Sequence, residues 1–333
     1  MKVVKAVTQG RRQAGISLIE LMVALVISVI VSFGVVNLFL QMRVSLQQDD
    51  QIARLQENGR WALRYLSREL VMTGFYGNRL SGEGVSSALV VSGDCDLDWA
   101  VDTATRIEHL NDATDTAATD SYDCLSSGEI QVGTDVLVVR RTKDSPHMED
   151  GVAATALEDN SVYMRLGQFG AAGDLLRGAD FDVADKVAGS GVDAWEYQPQ
   201  LIFIRNYSDE PGDGVPALCI KRLTTDVAAL AIDDTECLVD GIENFQVEFG
   251  LDQTEPPDYA ADYYKTDPTP EELELAVNAK IYLLVRSLDE VPGYTNDKSY
   301  NLGSTTINPT LDGYYRRAVQ TTVVLRNGEV FGL

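Results

Sequence analysis

The sequence predicts an α+β fold, in which one long N-terminal helix packs on a C-terminal antiparallel β-sheet domain with long loops. Two features predict this fold. Residues 21–42 carry no charge and form an apolar run, and a helical repeat of apolar side chains continues after it. From Gly77 onward, short β-rich segments alternate with stretches of Gly, Asp, Ser and Pro, which is typical of antiparallel sheet.

The first fifteen residues are predicted to be a targeting segment, because they contain no acidic residue and end on a glycine directly before the apolar run. Their basic residues are Lys2, Lys5, Arg11 and Arg12. The small-residue junction Ala14-Gly15 precedes the apolar run, whereas a secretory signal would be cut after it. Cleavage at Gly15 would therefore keep the apolar helix in the mature chain. The positive-inside rule predicts a cytoplasmic N-terminus and export of the chain after about Arg43.

Glu20 is the one carboxylate at the start of this apolar run. Placing a carboxylate in a bilayer costs roughly 2.5 kcal/mol or more on insertion scales, so such a residue is by default a functional hypothesis that needs a partner. The alternative is a plain signal anchor in which Glu20 is accidental. The joint occurrence of the basic leader, Gly15, Glu20 and the charge-free run favours the functional interpretation.

The helix is predicted to continue well beyond the apolar run. Apolar residues recur mostly at spacings of three and four among Gln, Arg and Glu, which predicts an amphipathic stripe. They are Ile52, Leu55, Ala62, Leu66 and Leu70. With no proline before Pro146 and a helix stop at Gly74, one helix is expected over about residues 16–72. We interpret the stripe as packing against the globular domain; a separate partner-binding role is the alternative.

Six strands are predicted after the helix, and they cover residues 135–141, 201–206, 217–223, 245–251, 280–287 and 317–326. Two of these segments alternate clearly, as half-buried strands do. Phe245, Val247 and Phe249 share one face of their strand. In the last strand the corresponding face is formed by Val319, Thr321, Val323 and Leu325.

The composition is that of an acidic globular chain of 333 residues, with 45% hydrophobic residues and a formal net charge of -24. Removing the basic leader would make the mature chain more negative still. A surface of this charge excludes binding to nucleic acid by bulk attraction, and it favours the solubility of an exported domain.

Four cysteines lie in the part of the chain that is expected to be exported, where disulfides form by default. They are Cys95, Cys124, Cys219 and Cys237. Four cysteines allow three connectivities that the sequence does not distinguish, and we favour sequential pairing. The alternative, a zinc site, has little support, because there is no C-x-x-C spacing and the chain contains only two histidines, His109 and His147.

No catalytic constellation is recognisable in the sequence. It has no G-x-S-x-G, no phosphate-binding glycine loop and no cluster with metal-ligand spacing, so we expect neither catalysis nor a cofactor. One weak calcium candidate remains in the acidic turn 209–214, where Asp209 and Asp213 could offer oxygen ligands. The alternative is a solvated acidic turn, because the spacing is not that of an EF-hand.

The segment from the basic leader through Gly15 and Glu20 resembles the class III signal of type IV prepilins and type II secretion pseudopilins. The resemblance implies that a prepilin peptidase cuts after Gly15 and methylates the new N-terminus at Ile16. It also implies that Glu20, the fifth mature residue, pairs with the N-terminal amine of a neighbouring subunit. Ile16 departs from the commonest pattern, which has an aromatic residue there.

Segments 134–141, 239–250, 281–287 and 314–317 resemble the PilW-type large minor pilins, which are related to the J-type pseudopilin. The resemblance implies a pilin-like fold with a leader at 1–15, a transmembrane or filament-core helix at 16–42 and an amphipathic helical half at 43–74. A periplasmic β-rich head would follow at 75–333, with a lobe inserted at about 85–199.

The function implied is that of a non-catalytic minor pilin in the priming, assembly and tip complex of a type IV pilus. Its implied partners are other minor pilins, the major pilin, prepilin peptidase, the inner-membrane assembly platform and a tip adhesin. Its implied location is the inner membrane, with a periplasmic head, and then the pilus fibre or tip. The alternatives are a pseudopilin of a type II secretion system and, from another class, a membrane-anchored periplasmic enzyme.

Overall fold

The computed structural model describes residues 15, 17–79, 81–89, 91, 99–167, 173–223 and 230–327. The chain divides into two compact units, Met1–Asp50 and Gln51–Leu333. The long helix α1, Leu18–Met72, contains 55 residues and contributes to both units. The predicted helix is thus confirmed.

In the first unit, α1 is an exposed apolar helix. All residues from 17 to 43 are exposed, including large side chains such as Leu18 and Phe33, which are 76% and 69% accessible. This is the one helix in the described part of the chain that is long and apolar enough to cross a membrane.

In the second unit, α1 buries one stripe of side chains. Leu55, Ala62, Leu66 and Leu70 are at most 5% exposed, which is the packing role expected for this stripe, whereas Ile52, the first residue of the predicted stripe, is 38% exposed. The helix ends at Met72, and the next turn reverses through Gly74 at φ +74°. A residue with a Cβ is strained in that region, so glycine suits this helix stop. The N–H of Gly74 donates to the carbonyl of Arg140 and ties the helix end to the sheet.

Four strands form the sheet on which this part of α1 lies. They are β12 (Ile242–Leu251), β13 (Tyr263–Lys265), β14 (Ala276–Arg286) and β17 (Arg316–Val324). They are antiparallel in the order β13-β12-β14-β17. A short helix, α3 (Pro270–Glu274), precedes β14, and a small hairpin of β15 (Tyr300–Leu302) and β16 (Thr305–Ile307) precedes β17.

A second, five-stranded antiparallel sheet forms the middle layer of the head. Its strands are β2 (Ile107–Ala113), β3 (Thr134–Val139), β9 (Gln200–Arg205), β10 (Ala217–Arg222) and β11 (Glu236–Asp240). Their order is β11-β10-β9-β3-β2. The connection from β2 to β3 contains α2 (Asp115–Ser121).

The remaining strands form a six-stranded sheet that follows the helix in sequence. They are β1 (Ser86–Ser87), β4 (Met148–Glu149), β5 (Val152–Ala153), β6 (Val162–Gly167), β7 (Asp174–Arg177) and β8 (Val192–Glu196). Their order is β1-β7-β6-β8-β4-β5. The predicted lobe at 85–199 contains this whole sheet, but β2 and β3, in the same interval, belong to the five-stranded sheet.

The five-stranded sheet is buried on both faces because side chains alternate along each strand. On β9, Ile202 and Ile204 join the core that contains α1 and the four-stranded sheet. Leu201 and Phe203 point to the opposite core, which the six-stranded sheet completes. The two largest hydrophobic cores of the described head thus lie on either side of this one sheet.

All six predicted strands are present, with ends shifted by a few residues. They correspond to β3, β9, β10, β12, β14 and β17. Phe245, Val247 and Phe249 are fully buried on one face, as predicted. The opposite face of β12 is less exposed than a half-buried strand would be, because Gln246 is only 2% exposed and donates to the carbonyl of Gly133.

Candidate functional site: the processing segment and its support in the head

Gly15, the residue before the predicted cut, is the described residue closest to the cleavage point. Gly15 is exposed, and no atom lies within 4 Å of the position that a Cβ would take. Ile16, the predicted mature N-terminus, lies outside the described residues. The helix begins two residues later, and the N–H of Leu21 donates to the carbonyl of Ser17. Gly15 itself is therefore free of packing contacts.

Glu20 lies in the first turn of α1, and its side chain is exposed. A carboxylate is favourable there, because the free N–H groups of the helix terminus leave a partial positive charge. No hydrogen bond or ion pair of the described part of the chain involves this carboxylate. Glu20 is thus available to a cation from outside the chain, and its role as a pairing residue stays a prediction.

A buried ion pair ties the second half of α1 to the head. The Nε and Nη2 of Arg141, just after β3, donate to the two carboxylate oxygens of Glu69 over 2.7 and 3.1 Å. Their side chains are 7% and 3% exposed. Paired N–H groups on a carboxylate are a directional contact, so this pair orients the helix on the sheet.

Sequence reasoning missed this pair, although a signal was present. Glu69 follows Leu66 by three residues and Ala62 by seven, so it occupies a position of the apolar stripe. A carboxylate on a buried stripe needs a buried partner.

A glycine allows α1 to approach the four-stranded sheet closely. Gly59 is buried, and a Cβ at this residue would lie 3.1 Å from Cγ2 of Val285 and 3.6 Å from Cγ2 of Val319. These two valines lie on adjacent strands, β14 and β17. The missing side chain therefore sets the distance between helix and sheet at this crossing.

Two more buried arginines hold loops by binding carbonyl groups. Arg140 donates to the carbonyls of Trp99 and Thr105 and pairs with Glu108. Arg106 donates to the carbonyl of Leu273 over 2.8 Å. Each guanidinium connects segments that are far apart in the sequence, so the charges stabilise the head from inside.

One disulfide joins Cys219 and Cys237 on the paired strands β10 and β11. This is the sequential pairing that we favoured for these two residues. Cys124 is also disulfide-bonded, and its expected partner, Cys95, lies outside the described residues. Oxidised cysteines are consistent with an exported head.

The acidic turn 209–214 is organised by one of its own carboxylates. Asp213 accepts hydrogen bonds from the N–H groups of Val215, Asp209 and Ser208. Partial desolvation acts to raise the pKa of Asp213, but these N–H donors outweigh it and lower the pKa from 3.8 to about 2. The turn thus needs no cation to hold its shape. No group of three or more metal-ligating side chains occurs among the described residues, and the calcium candidate at Asp209 and Asp213 stays untested.

The histidines offer no catalytic arrangement. The Nε2 of His109 lies 2.9 Å from a carboxylate oxygen of Asp135, but both side chains are fully buried. His147 lies near the carbonyl of Ala156 and the hydroxyl of Thr155. A polar cavity of about 320 Å³ opens beside Tyr197, and the described residues that line it include neither histidine nor cysteine.

Two family models match the chain. Residues 203–327 match the family described as Type IV Pilus-assembly protein W, and residues 10–36 match the prokaryotic N-terminal methylation motif. The second match spans Gly15 and Glu20, and the first spans the strands from β9 to β17.

No curated protein sequence matches the chain. Among solved structures, it is similar to a type IV-like pilin, TTHA1219, from Thermus thermophilus, with 13% identity and a TM-score of 0.35. That similarity covers 82% of this chain and 98% of the other. A similarity of this size is too low to carry an argument about fold or function.

The two family matches agree with the residues described above. The methylation motif lies on the basic leader, Gly15 and the apolar helix, and the PilW match lies on the strands that follow. Proteins of this type are structural pilins and not enzymes. Over these two stretches the chain is similar to the type IV pilus-assembly protein W family and to proteins with the prokaryotic N-terminal methylation motif.

Proposed function

We propose that this chain is processed behind Gly15 and then takes part in priming and assembling a type IV pilus, as a component of its tip complex. In the inner membrane its N-terminus faces the cytoplasm and its head faces the periplasm, until the subunit enters the fibre. Its partners are other minor pilins, the major pilin, prepilin peptidase and the assembly platform, and a tip adhesin binds the complex.

One observation carries this proposal. Glu20 has no partner in the described chain, although it lies in the first turn of an exposed apolar helix directly after a cleavage motif. In apolar surroundings, a carboxylate is tolerated when it pairs with an opposite charge. Because the dielectric constant is low there, the interaction energy depends strongly on the distance and orientation of the two groups. Cleavage after Gly15 creates such a charge, the free amine of Ile16 in a neighbouring subunit. The pair sets the axial position of each incoming subunit.

The test separates processing from pairing. Glu20→Ala should leave a cleaved, membrane-inserted protein that no longer recruits other pilins in a pulldown or supports twitching motility. Glu20→Asp, which keeps the charge, is the matched control and should retain part of the recruitment. Normal recruitment and motility in Glu20→Ala would show that the pairing hypothesis is wrong.

Gly15→Arg tests the cleavage itself. This variant should accumulate as a precursor about fifteen residues longer, because the peptidase needs a small residue before the cut. Mass spectrometry of the membrane fraction measures the N-terminus directly. A normally processed N-terminus in Gly15→Arg would contradict the assignment of the signal.

A type II secretion pseudopilus remains the second candidate, since its pseudopilins carry the same type of signal. The match of residues 203–327 to the pilus-assembly family favours the pilus. A deletion strain distinguishes the two. Loss of twitching with normal secretion supports the pilus, whereas exoproteins retained in the periplasm support the secretion system.

A further inference from the structure

Three arginines follow one another along the exposed side of α1 in the second unit. Arg60, Arg64 and Arg68 recur every four residues, so their side chains lie on one face of the helix. All three are exposed, and no ion pair joins them to a carboxylate of the described chain. We call Arg60, Arg64, Arg68 and the neighbouring Trp61 the arginine stripe.

The stripe is unfavourable in the isolated subunit. Like charges four residues apart on a helix repel each other and reduce its stability. The chain as a whole has a net charge of -24, so acidic groups are abundant, yet no carboxylate of the described residues forms an ion pair with Arg60, Arg64 or Arg68. An uncompensated basic face on an acidic protein is complementary to an acidic surface of another molecule.

An exposed aromatic residue, Trp61, lies next to these arginines in the helix. Trp61 is 43% exposed and stacks on Tyr65, with ring centroids 5.3 Å apart and planes inclined by 6°. The hydroxyl of Tyr65 donates to the side-chain carbonyl of Gln200 on β9, which holds the stack in place. A rigid, exposed tryptophan among arginines has the composition of protein–protein hot spots, in which Trp, Tyr and Arg are enriched.

Two other anionic partners are less favourable. Nucleic acid would be repelled by the acidic remainder of the head. In a bilayer-spanning chain, lipid headgroups would lie next to the end of the apolar run at Met42, and in the sequence a polar segment containing Asp49 and Asp50 separates the stripe from that run. A protein partner with a local acidic patch is attracted by the stripe without facing these penalties.

We infer that the arginine stripe docks an acidic patch on a different pilin subunit, with Trp61 as the apolar anchor of the contact. This inference rests on the proposed function, which brings other pilin subunits against this chain. It goes beyond that function by naming the face used and the charge of its partner.

The test is photo-crosslinking of the full-length chain in cells. A photoreactive phenylalanine analogue replaces Trp61 to probe the stripe, and Phe33 in a second strain to probe the apolar half of α1. We expect the probe at residue 61 to capture a pilin subunit, with the adduct mapped by mass spectrometry to an acidic segment of that subunit.

Charge reversal gives the decisive comparison. Arg60→Glu, Arg64→Glu and Arg68→Glu together should lower the yield of this adduct about ten-fold, since three exposed ion pairs are worth about that factor. The matched control reverses three other exposed basic residues by the same total charge. It consists of Lys298→Glu, Arg317→Glu and Arg326→Glu, and it should leave the yield unchanged. Circular dichroism of both purified triple variants in detergent controls for folding.

Several results would overturn the inference. One is an adduct yield that does not change when the three arginines of the stripe are reversed. Another is an equal loss of adduct in the control triple variant. A third is capture of nucleic acid, lipid or a second copy of this chain by the probe at residue 61. If the probe at residue 33 captures pilin subunits while the stripe variant behaves as wild type, the proposed function stands and this inference fails. If neither probe captures a pilin subunit, the proposed function itself fails.

Discussion

Replacing Glu69 by Gln is expected to destabilise the second unit of this protein by about 3–5 kcal/mol. The substitution preserves the shape of the side chain but removes the negative charge that faces Arg141. The guanidinium would then stay buried without a counter-charge, and it is this residual charge, more than the lost hydrogen bond, that makes the change costly.

The magnitude follows from the burial of both partners. Because the side chains of Arg141 and Glu69 are 7% and 3% exposed, water cannot replace the missing carboxylate without opening the contact between α1 and the sheet. Arg141 now makes two hydrogen bonds to Glu69, and a Gln side chain offers a single acceptor oxygen for them. At about 2–4 °C per kcal/mol for a domain of this size, 3 kcal/mol corresponds to a fall in Tm of about 6–12 °C.

Unfolding of the full-length chain in detergent measures the effect. The fluorescence of the fully buried Trp99 reports on the head, and urea titration yields the free energy of unfolding. Glu236→Gln is the matched control, because it makes the same chemical change in a pair with Arg222 whose side chains are 57% and 43% exposed. Exposed pairs are worth about 0–1 kcal/mol, so this variant should remain close to wild type.

Equal stability of the two variants would refute the reasoning. If Glu69→Gln cost no more than Glu236→Gln, the pair would not be the buried anchor of the helix. A large loss that Arg141→Met fully reverses in the double variant would instead confirm that the unpaired charge is the cause.

Two further predictions concern packing and acidity. Gly59→Leu should destabilise the head by about 1–3 kcal/mol, because the added side chain overpacks the contact with Val285. The control is Gly34→Leu in the same helix. No atom lies within 4 Å of the position that a Cβ would take at Gly34, so urea unfolding of the head should be unchanged. The pKa of Asp213 is about 2 in the folded state, against an ordinary value of 3.8. The unfolded chain therefore binds the proton more readily, and the contribution of Asp213 to the stability of the fold is lost as the pH falls from about 4 to 2. Urea titrations at several pH values should show this loss in wild type and not in Asp213→Asn; identical pH dependence in both would contradict the assignment.

The local elements of this protein follow from short-range patterns. The helix ends at Met72 as predicted, because the apolar stripe stops there and Gly74 can adopt a positive φ. Strands such as β12 and β17 were predictable from apolar side chains that recur at every second position of the sequence. Such patterns depend only on the geometry of a helix or strand and on which side chains avoid water.

The layering of the head was not predictable in the same way. The two cores on either side of the five-stranded sheet depend on pairing between β3 and β9, whose residues are far apart in the sequence. Pairing between distant strands is chosen by complementary packing and turn geometry across the whole domain, and no local pattern specifies it. The split of residues 86–196 between two sheets has the same origin.

For the candidate site, the sequence alone predicts a leader, a cut after Gly15 and a pairing role for Glu20, and it determined the apolar helix, because these signals are carried by consecutive residues. Only the tertiary structure decided that Glu69 meets Arg141 and that Asp213 organises its own turn. It also decided that three arginines of α1 have no partner in the described chain. These contacts depend on which residues, distant in sequence, the fold brings together and on whether it buries or exposes them. The strength of a charge–charge interaction is set by the distance and the dielectric surroundings in the folded state and not by the sequence neighbours.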